Sequence, residues 1–283
     1  MRVVRLGLIG DNIARSRSPS LHRLAGMLCG LEVAYERLVP ADQGLGFDAL
    51  LDRCAAQGYR GLNITYPYKE RVFPRLAVTD PQVRAIGACN TVLFDDAVPA
   101  GHNTDHSGFA AAYRAAFADA SPGSVAMAGA GGVGRAIAFA LARLGAERLR
   151  VFDSEPGRAA ELVAALRSAE VGLVAEAVAS ASEASAGADG LLNCTPLGMA
   201  GLYGSPFPAH ALRGARWAFD AVYTPRDTLF LTQAQAAGLA ALSGYELFFH
   251  QGVDAFRLFT GREVDPSALR RALDEEEDMR RSA

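Results

Sequence analysis

Cysteine is scarce in this sequence, and its four residues are too scattered to form a known cysteine motif. They are Cys29, Cys54, Cys89 and Cys194, with no Cys-x-x-Cys pair, which argues against the common structural zinc sites and against a disulfide framework. No apolar run approaches the roughly 18 residues of a membrane-spanning helix. We therefore expect a cytoplasmic protein that does not bind a membrane.

Excess positive charge is also lacking. The 28 lysines and arginines are outnumbered by 31 aspartates and glutamates, which gives a formal net charge of -3 without a basic stripe that would follow a phosphate backbone. Nucleic acid is therefore not an expected partner. The chain does have length, because 283 residues, 50% of them hydrophobic, are enough to bury a large core and to form two domains.

Strand-like and helix-like segments alternate along the chain, and this alternation predicts an α/β fold. The first third reads as a strand-helix-strand-helix-strand series, and a second alternation begins near Ser107. In the first predicted helix, Ser18 is the expected N-cap and Pro19 the expected first helical residue. We predict one domain boundary near Asp105 and another near Gly244.

The segment GAGGVG lies between a predicted strand and a predicted helix. Gly129, Gly131 and Gly134 occupy the three glycine positions of a Rossmann turn, where they allow a tight bend, close approach of a pyrophosphate and packing of helix on strand. The pattern predicts a dinucleotide-binding loop. Its residues are Gly129, Ala130, Gly131, Gly132, Val133 and Gly134.

Asp153 ends the next predicted strand, where the dinucleotide fingerprint expects an acidic residue. A carboxylate accepts hydrogen bonds from a ribose 2'-hydroxyl but repels a 2'-phosphate, so NAD is favoured over NADP as the cofactor. Two alternatives stay open at this point. Asp153 could only cap the following helix, and the nearby Arg158 keeps NADP in consideration.

Polar clusters follow several apolar segments of the first domain, and two of them suggest chemistry. Ser16 and Ser18 stand at a predicted helix start, whose N–H groups and dipole favour an anion such as a carboxylate. Lys69 stands at another predicted helix start, which disfavours an ammonium and suits a lysine that transfers protons. A nearby carboxylate such as Asp105 would act in the opposite direction. Each residue also has an ordinary interpretation as a cap or a solvated side chain.

Eight motifs occur in an order and spacing that resemble the shikimate dehydrogenase family, most closely its NAD-using quinate/shikimate dehydrogenase branch. They are SRSPSLH, NITYPYKE, GACNTV, GHNTDHSGF, GAGGVGRA, NCTPLGM, DAVYTP and HQGVDAFRLFTG, and together they cover nearly the whole chain. The resemblance implies a discontinuous α/β substrate domain, residues 1–105 and 245–283, with a Rossmann domain, residues 106–244, inserted.

The resemblance also implies an activity and the residues that perform it. The expected reaction is reversible NAD-dependent oxidation of shikimate to 3-dehydroshikimate, and also of quinate to 3-dehydroquinate, by a monomer or homodimer. Lys69 and Asp105 would form the catalytic pair. The implied substrate-binding residues are Ser16, Ser18 and Tyr223 for the carboxylate, and Thr65, Asn90 and Gln251 for the ring hydroxyls.

Some positions depart from the family pattern and leave the substrate open. Arg23 replaces a usual Asn, Leu247 a usual Met and Phe248 a usual Leu. Family members that accept quinate often carry Thr at the second hydroxyl of the first motif, where this chain has Ser18, so shikimate is favoured over quinate.

Three further hypotheses concern the activity and a metal site. A dehydrogenase of an aminoshikimate or a related cyclohexane carboxylic acid would keep the catalytic pair, whereas a non-catalytic NAD-binding regulator would have no use for it. A metal site formed by His102, Asp105 and His106 is disfavoured, because the run falls in a predicted loop without further ligands. No metal is therefore expected.

Overall fold

The computed structural model describes residues 3–282 and divides into two compact units. The first unit contains the residues up to Val83, the segment Ala88–Thr104 and the residues from Gln251 on. The second unit contains Arg84–Gly87 and Asp105–His250. The two units therefore divide one residue before the boundary predicted at 105, and six residues after the boundary predicted at 244.

A five-stranded sheet forms the centre of the first unit, with the strand order β2-β1-β3-β4-β5. The first three strands are parallel, and β4 and β5 are antiparallel to their neighbours. The strands are β1 Val4–Ile9, β2 Val33–Leu38, β3 Gly61–Ile64, β4 Thr91–Leu93 and β5 Ala100–His102.

The sheet of the second unit has six strands, all parallel, in the order β11-β10-β9-β6-β7-β8. Counted from β6 this is the doubly wound order 3-2-1-4-5-6, in which the connections reverse direction between β6 and β9 and open a ligand crevice. The predicted two-domain α/β fold with a Rossmann unit is confirmed. The strands are β6 Ser124–Ala128, β7 Arg148–Phe152, β8 Val174–Ala177, β9 Gly190–Asn193, β10 Trp217–Asp220 and β11 Ala240–Ser243.

Eleven α-helices occur among the described residues, and none of these helices is long and apolar enough to cross a membrane. They are α1 Ser18–Leu28, α2 Phe47–Ala56, α3 Lys69–Val72, α4 Pro81–Ile86, α5 Thr104–Phe117, α6 Gly132–Arg143, α7 Arg158–Ser168, α8 Ala181–Ser185, α9 Leu229–Ala236, α10 Gly244–Thr260 and α11 Pro266–Ser282.

The start of α1 differs from the prediction. Ser18 is the first helical residue rather than the N-cap, which is Arg17 and makes no side-chain capping bond. The physical reason is that Oγ of Ser16 accepts the hydrogen bond of the Ser18 backbone N–H at 3.3 Å, so a hydroxyl before the helix serves this amide. Pro19 falls at the second helical position, where its missing N–H costs nothing.

The segment from His102 to His106 also differs, because it is not a loop. His102 ends β5, where it pairs with Thr91 of β4, and α5 begins two residues later at Thr104. The backbone N–H of Thr104 donates to Oδ1 of Asn90 at 2.8 Å, which starts the helix three residues before the predicted Ser107.

Each unit has its own apolar core. In the first unit, Ile9, Leu50 and Leu62 are at most 1% exposed, and burying each such side chain contributes about 1.5–3 kcal/mol. In the second unit, Ala126 and Ala128 of β6 are buried, and the small side chains let neighbouring elements pack closely on the strand that precedes the glycine loop.

Candidate active site

The turn before α1 presents two buried hydroxyls. Oγ of Ser16 donates a hydrogen bond to Oγ of Ser18 at 3.1 Å, and both residues are 8% exposed. The guanidinium of Arg37 donates to the Ser16 backbone carbonyl, with Nη2 at 2.6 Å and Nε at 3.3 Å. The predicted pair of serines is therefore brought together beside a helix N-terminus and a cation, an arrangement that favours an anionic group. Sequence reasoning missed Arg37.

Arg23, the departure in the first motif, faces the C-terminal helix. Its Nη2 donates to Glu276 of α11 at 3.2 Å, and its Nε donates to the Pro19 carbonyl at 3.3 Å. In the same way, Arg17 pairs with Glu277 and donates to the Leu273 carbonyl at 2.9 Å. Arg17 and Arg23 therefore both hold α1 against α11.

Thr65 and Lys69 follow β3 at its carboxyl end, and both are partly buried. The Thr65 backbone N–H donates to the Ile9 carbonyl at 2.9 Å, so the turn is fastened to the end of β1. Lys69 begins α3, as predicted, and its carbonyl accepts from the Cys89 N–H at 2.9 Å. Because α3 is a single turn of four residues, its dipole is small.

Asn90 and Gln251, which are 161 positions apart in the chain, meet in the first unit. Nδ2 of Asn90 donates to Oε1 of Gln251 at 3.4 Å and to Oγ1 of Thr104 at 3.0 Å. Thr104 in turn lies 3.3 Å from the same Gln251 oxygen. These amide and hydroxyl groups are suited to binding ring hydroxyls, which both donate and accept. Thr104 stands in the GHNTDHSGF motif but is not among the predicted site residues.

A buried polar layer lies behind Asn90. Asn63 accepts a hydrogen bond from the Tyr35 hydroxyl at 2.8 Å and donates to Oγ1 of Thr91 at 3.2 Å. His22 stacks on Tyr35 with ring centroids 4.8 Å apart. Burial lowers the pKa of His22 to about 3, so its imidazole is neutral at physiological pH. Asn63 belongs to β3, and its amide helps to hold β4, the strand on which Thr91 lies.

The glycine loop of the second unit has the geometry that the motif requires. Gly129 has φ +99°, and a Cβ there would lie 2.6 Å from the Cys194 backbone. A Cβ on Gly134 would lie 2.2 Å from the Gly129 carbonyl oxygen. A Cβ on Gly131 would meet only Nη1 of Arg158, at 3.6 Å. The first and third glycines are therefore required by the protein itself, whereas the second leaves space above the loop for a ligand.

Asp153 lies just past β7 and binds the glycine loop. Its Oδ2 accepts from the Ala130 N–H at 2.7 Å and its Oδ1 accepts from the Glu155 N–H at 2.8 Å. Each carboxylate oxygen keeps a second lone pair that a ribose hydroxyl could use. Arg158 pairs with Glu155, with 2.8 Å between Nε and Oε2. The residues present therefore fit a dinucleotide with a free 2'-hydroxyl.

Asp105 and Tyr223 belong to the second unit, whereas Lys69 belongs to the first. Asp105 is buried in the first turn of α5, next to the buried His106. The ring of Tyr223 stacks on Phe248 with centroids 5.0 Å apart and an interplanar angle of 16°. Phe248, one of the departures from the family pattern, therefore supplies an aromatic face for Tyr223. Within the described part of the chain, no group of three or more His, Cys, Asp or Glu side chains is arranged to hold a metal ion.

Comparisons with known proteins cover both units. The family model for the shikimate dehydrogenase substrate binding domain matches residues 8–92, and that for the shikimate 5'-dehydrogenase C-terminal domain matches residues 244–273. The chain is 41% identical to a quinate/shikimate dehydrogenase (NAD(+)) of Corynebacterium efficiens, over 94% of this chain and 96% of that protein. It is 44% identical to a shikimate dehydrogenase (NADP(+)) of Streptomyces avermitilis, over 92% of this chain and 91% of the relative.

A solved structure gives the same result. The chain superimposes on quinate dehydrogenase from Corynebacterium glutamicum in complex with NAD with a TM-score of 0.86 and 37% identity, which covers 97% of this chain and all (100%) of that one.

Proposed function

Because the chain belongs to the shikimate dehydrogenase family, we propose that it catalyses the reversible NAD-dependent oxidation of shikimate to 3-dehydroshikimate, with quinate as a second substrate. The alternatives, a dehydrogenase of an aminoshikimate or related cyclohexane acid and a non-catalytic NAD binder, are not favoured by the relatives. Ser18 supports the ranking of shikimate above quinate.

One observation carries the choice of cofactor. The Asp153 carboxylate sits at the end of β7 with one oxygen on the glycine loop amide of Ala130, where the adenosine ribose of a dinucleotide lies in this fold. Its negative charge opposes a 2'-phosphate, and the open position of Gly131 leaves space for a pyrophosphate. NAD, when bound, accepts the hydride that leaves the alcohol carbon.

The chain's own residues manage the proton and the alignment. Lys69 takes the proton of the reacting hydroxyl during oxidation and returns it to the forming alkoxide in reduction, a role worth about 10²- to 10⁴-fold in rate. Asp105 orients that hydroxyl and the lysine. Lys69 stands at a fastened turn and Asp105 in the first turn of a long helix, so both backbones are held firmly.

Substrate binding divides between two kinds of group. Ser16, Ser18 and Tyr223 hold the carboxylate, which the helix start and Arg37 attract. The ring hydroxyls bind to three side chains, Thr65, Asn90 and Gln251. The last two already share a hydrogen bond, so their amides are oriented before the substrate arrives.

Purified protein incubated with shikimate and NAD tests the proposal through the absorbance of reduced nicotinamide. Quinate and NADP provide the comparison arms. We expect the enzyme to act in the cytoplasm, in line with its four free thiols, and to be a monomer or homodimer, which light scattering after size exclusion determines.

A further inference from the structure

A buried carboxylate at the carboxyl end of β10 is not among the residues assigned above. Asp220 is the last residue of β10 and is 0% exposed. Its Oδ1 accepts hydrogen bonds from the Val222 backbone N–H at 3.0 Å and from Nδ2 of Asn193 at 2.9 Å, and its Oδ2 accepts one from Oγ1 of Thr228 at 2.6 Å. A buried charge is costly unless such donors compensate for lost water. This side chain is therefore held by three donors from three different residues.

These bonds close both ends of one loop. Val222 stands at the start of the segment 221–228 and Thr228 at its end, so the two oxygens of one carboxylate fix the two ends. Thr228 also caps α9, because its Oγ1 accepts the Leu231 N–H at 3.2 Å. The loop between these anchors carries Tyr223, whose ring rests on Phe248. Stacking restricts the tilt of the ring, whereas the anchors restrict where the backbone places it.

The partner of Asp220 fastens the neighbouring loop in the same way. Oδ1 of Asn193 accepts from the Thr195 N–H at 3.0 Å and from the Thr195 hydroxyl at 2.7 Å. Its Nδ2 donates to the Leu197 carbonyl at 2.8 Å as well as to Asp220. Asn193 ends β9, a strand at the point where the sheet connections reverse. The hydrogen bond between Asn193 and Asp220 therefore joins two loops at the edge of the sheet where ligands bind in this fold.

We propose that Asp220 is a positioning residue for the substrate, which sets the location of Tyr223 by closing the loop 221–228 at both ends. The inference rests on the proposed role of Tyr223 in holding the substrate carboxylate. Burial raises the pKa of the Asp220 carboxyl to about 6, and its hydrogen bonds act in the opposite direction. The carboxylate form, which accepts the three hydrogen bonds, therefore predominates above about pH 6.

Two variants weaken the same contact from its two sides. Asp220→Asn keeps the shape and an acceptor for Val222 but removes the negative charge, so the hydrogen bond with Thr228 loses its charge assistance. Thr228→Val removes the donor, while Thr228→Ser keeps it. We expect the first two variants to raise KM for shikimate about 2- to 10-fold, the factor that corresponds to the net contribution of one hydrogen bond. The dissociation constant for NAD and the KM of Thr228→Ser should stay at wild-type values.

Tyr223→Phe separates positioning from general loosening. This variant should raise KM for shikimate by itself, and adding Asp220→Asn to it should produce no further rise, because the positioned hydroxyl is already absent. Asp189→Asn is the matched control. Asp189 precedes β9 at the opposite end of the strand, where it accepts from the Ser124 N–H at 2.8 Å and pairs with Arg216 at 2.9 Å. The Asp189→Asn variant should keep the wild-type KM for shikimate.

The outcomes separate a failure of the role proposed for Tyr223 from a failure of the positioning role of Asp220. If Tyr223→Phe leaves KM unchanged, the role of Tyr223 under the proposed function is wrong, and the inference fails with it. If Tyr223→Phe raises KM but Asp220→Asn and Thr228→Val do not, only the inference is overturned. A parallel weakening of NAD binding, or fully additive effects in the double variant, would also overturn it, because either result indicates a general structural role.

Discussion

Two glycines of the same loop should respond in opposite ways to the same substitution. Gly131 has φ -74° and ψ -170°, which alanine adopts without strain, and an added Cβ would have only the Arg158 guanidinium within 4 Å. Gly131→Ala should therefore change the free energy of unfolding by less than about 1 kcal/mol, because the gain from fewer unfolded conformations opposes the loss of a favourable N-cap residue of α6. Its methyl group would occupy the space above the loop.

The magnitude for NAD binding follows from that position. If the methyl group prevents one hydrogen bond between the loop and a charged phosphate, the loss is about 1.5–3 kcal/mol, or roughly 10- to 100-fold in the dissociation constant. Gly134→Ala is the counterpart. Its Cβ would lie 2.2 Å from the Gly129 carbonyl oxygen, a backbone atom that cannot move aside without shifting the loop or α6. Overpacking of this kind costs about 1–3 kcal/mol, with part offset by the better helix propensity of alanine.

Thermal unfolding and NAD titration on both variants provide the assay. We expect Gly134→Ala to lower the melting temperature by roughly 2–4 °C per kcal/mol lost, and Gly131→Ala to weaken NAD binding at an unchanged melting temperature. Wild-type NAD affinity in Gly131→Ala would refute the reasoning, because it would mean that the pyrophosphate does not approach this part of the loop.

Three further predictions concern single carboxylate or amine groups. Lys69→Ala should lower turnover about 10²- to 10⁴-fold with little change in the dissociation constant for NAD, and wild-type turnover would remove the lysine from the mechanism. Asp153→Ala should weaken NAD binding and narrow the preference for NAD over NADP. An unchanged ratio of the two affinities would mean that Asp153 only holds the glycine loop through its hydrogen bond with the Ala130 amide. Asp220→Asn should alter the pH dependence of stability. The pKa of the Asp220 carboxyl is 3.8 in the unfolded chain and about 6 in the folded one, so the free energy of unfolding of the wild type should fall by up to about 3 kcal/mol as pH rises from 4 to 7. The variant lacks this group and should not show that fall. Urea unfolding of both proteins at several pH values checks this, and a difference in unfolding free energy that is constant with pH would contradict it; the neighbouring Cys194 thiol, whose pKa is raised by burial, does not titrate in this range.

Local patterns in the sequence predicted the elements that local physics determines. The glycine loop could be found because three positions in one turn must lack a Cβ, for the bend, the ligand and the helix contact. The position of Asp153 beside the glycine loop could be predicted because the carboxyl ends of adjacent parallel strands meet at one edge of the sheet. The first turn of α1 lies close to its predicted position, but the predicted cap is wrong. The N-cap is Arg17, and the Ser16 hydroxyl accepts from the Ser18 N–H because of a backbone path that residue type does not determine.

Contacts between distant segments could not be predicted from the residues alone. Arg37 reaches the Ser16 carbonyl because β2 pairs with β1, and Thr104 reaches Asn90 because β5 pairs with β4. Neither contact can be predicted from the spacing of residues along the chain. The role of Asp220 could not be predicted for a different reason. An acidic residue at the end of an apolar segment indicates only that the strand ends there, and the buried donors around it become known only from the structure.

The reduction of NAD by shikimate, followed as the absorbance of reduced nicotinamide, tests the central claim most directly. The account predicts turnover of shikimate with NAD, a slower reaction with quinate and a much weaker response when NADP replaces NAD. Absence of any signal with both acids and both cofactors, in protein that still binds NAD, would contradict the proposed dehydrogenase activity.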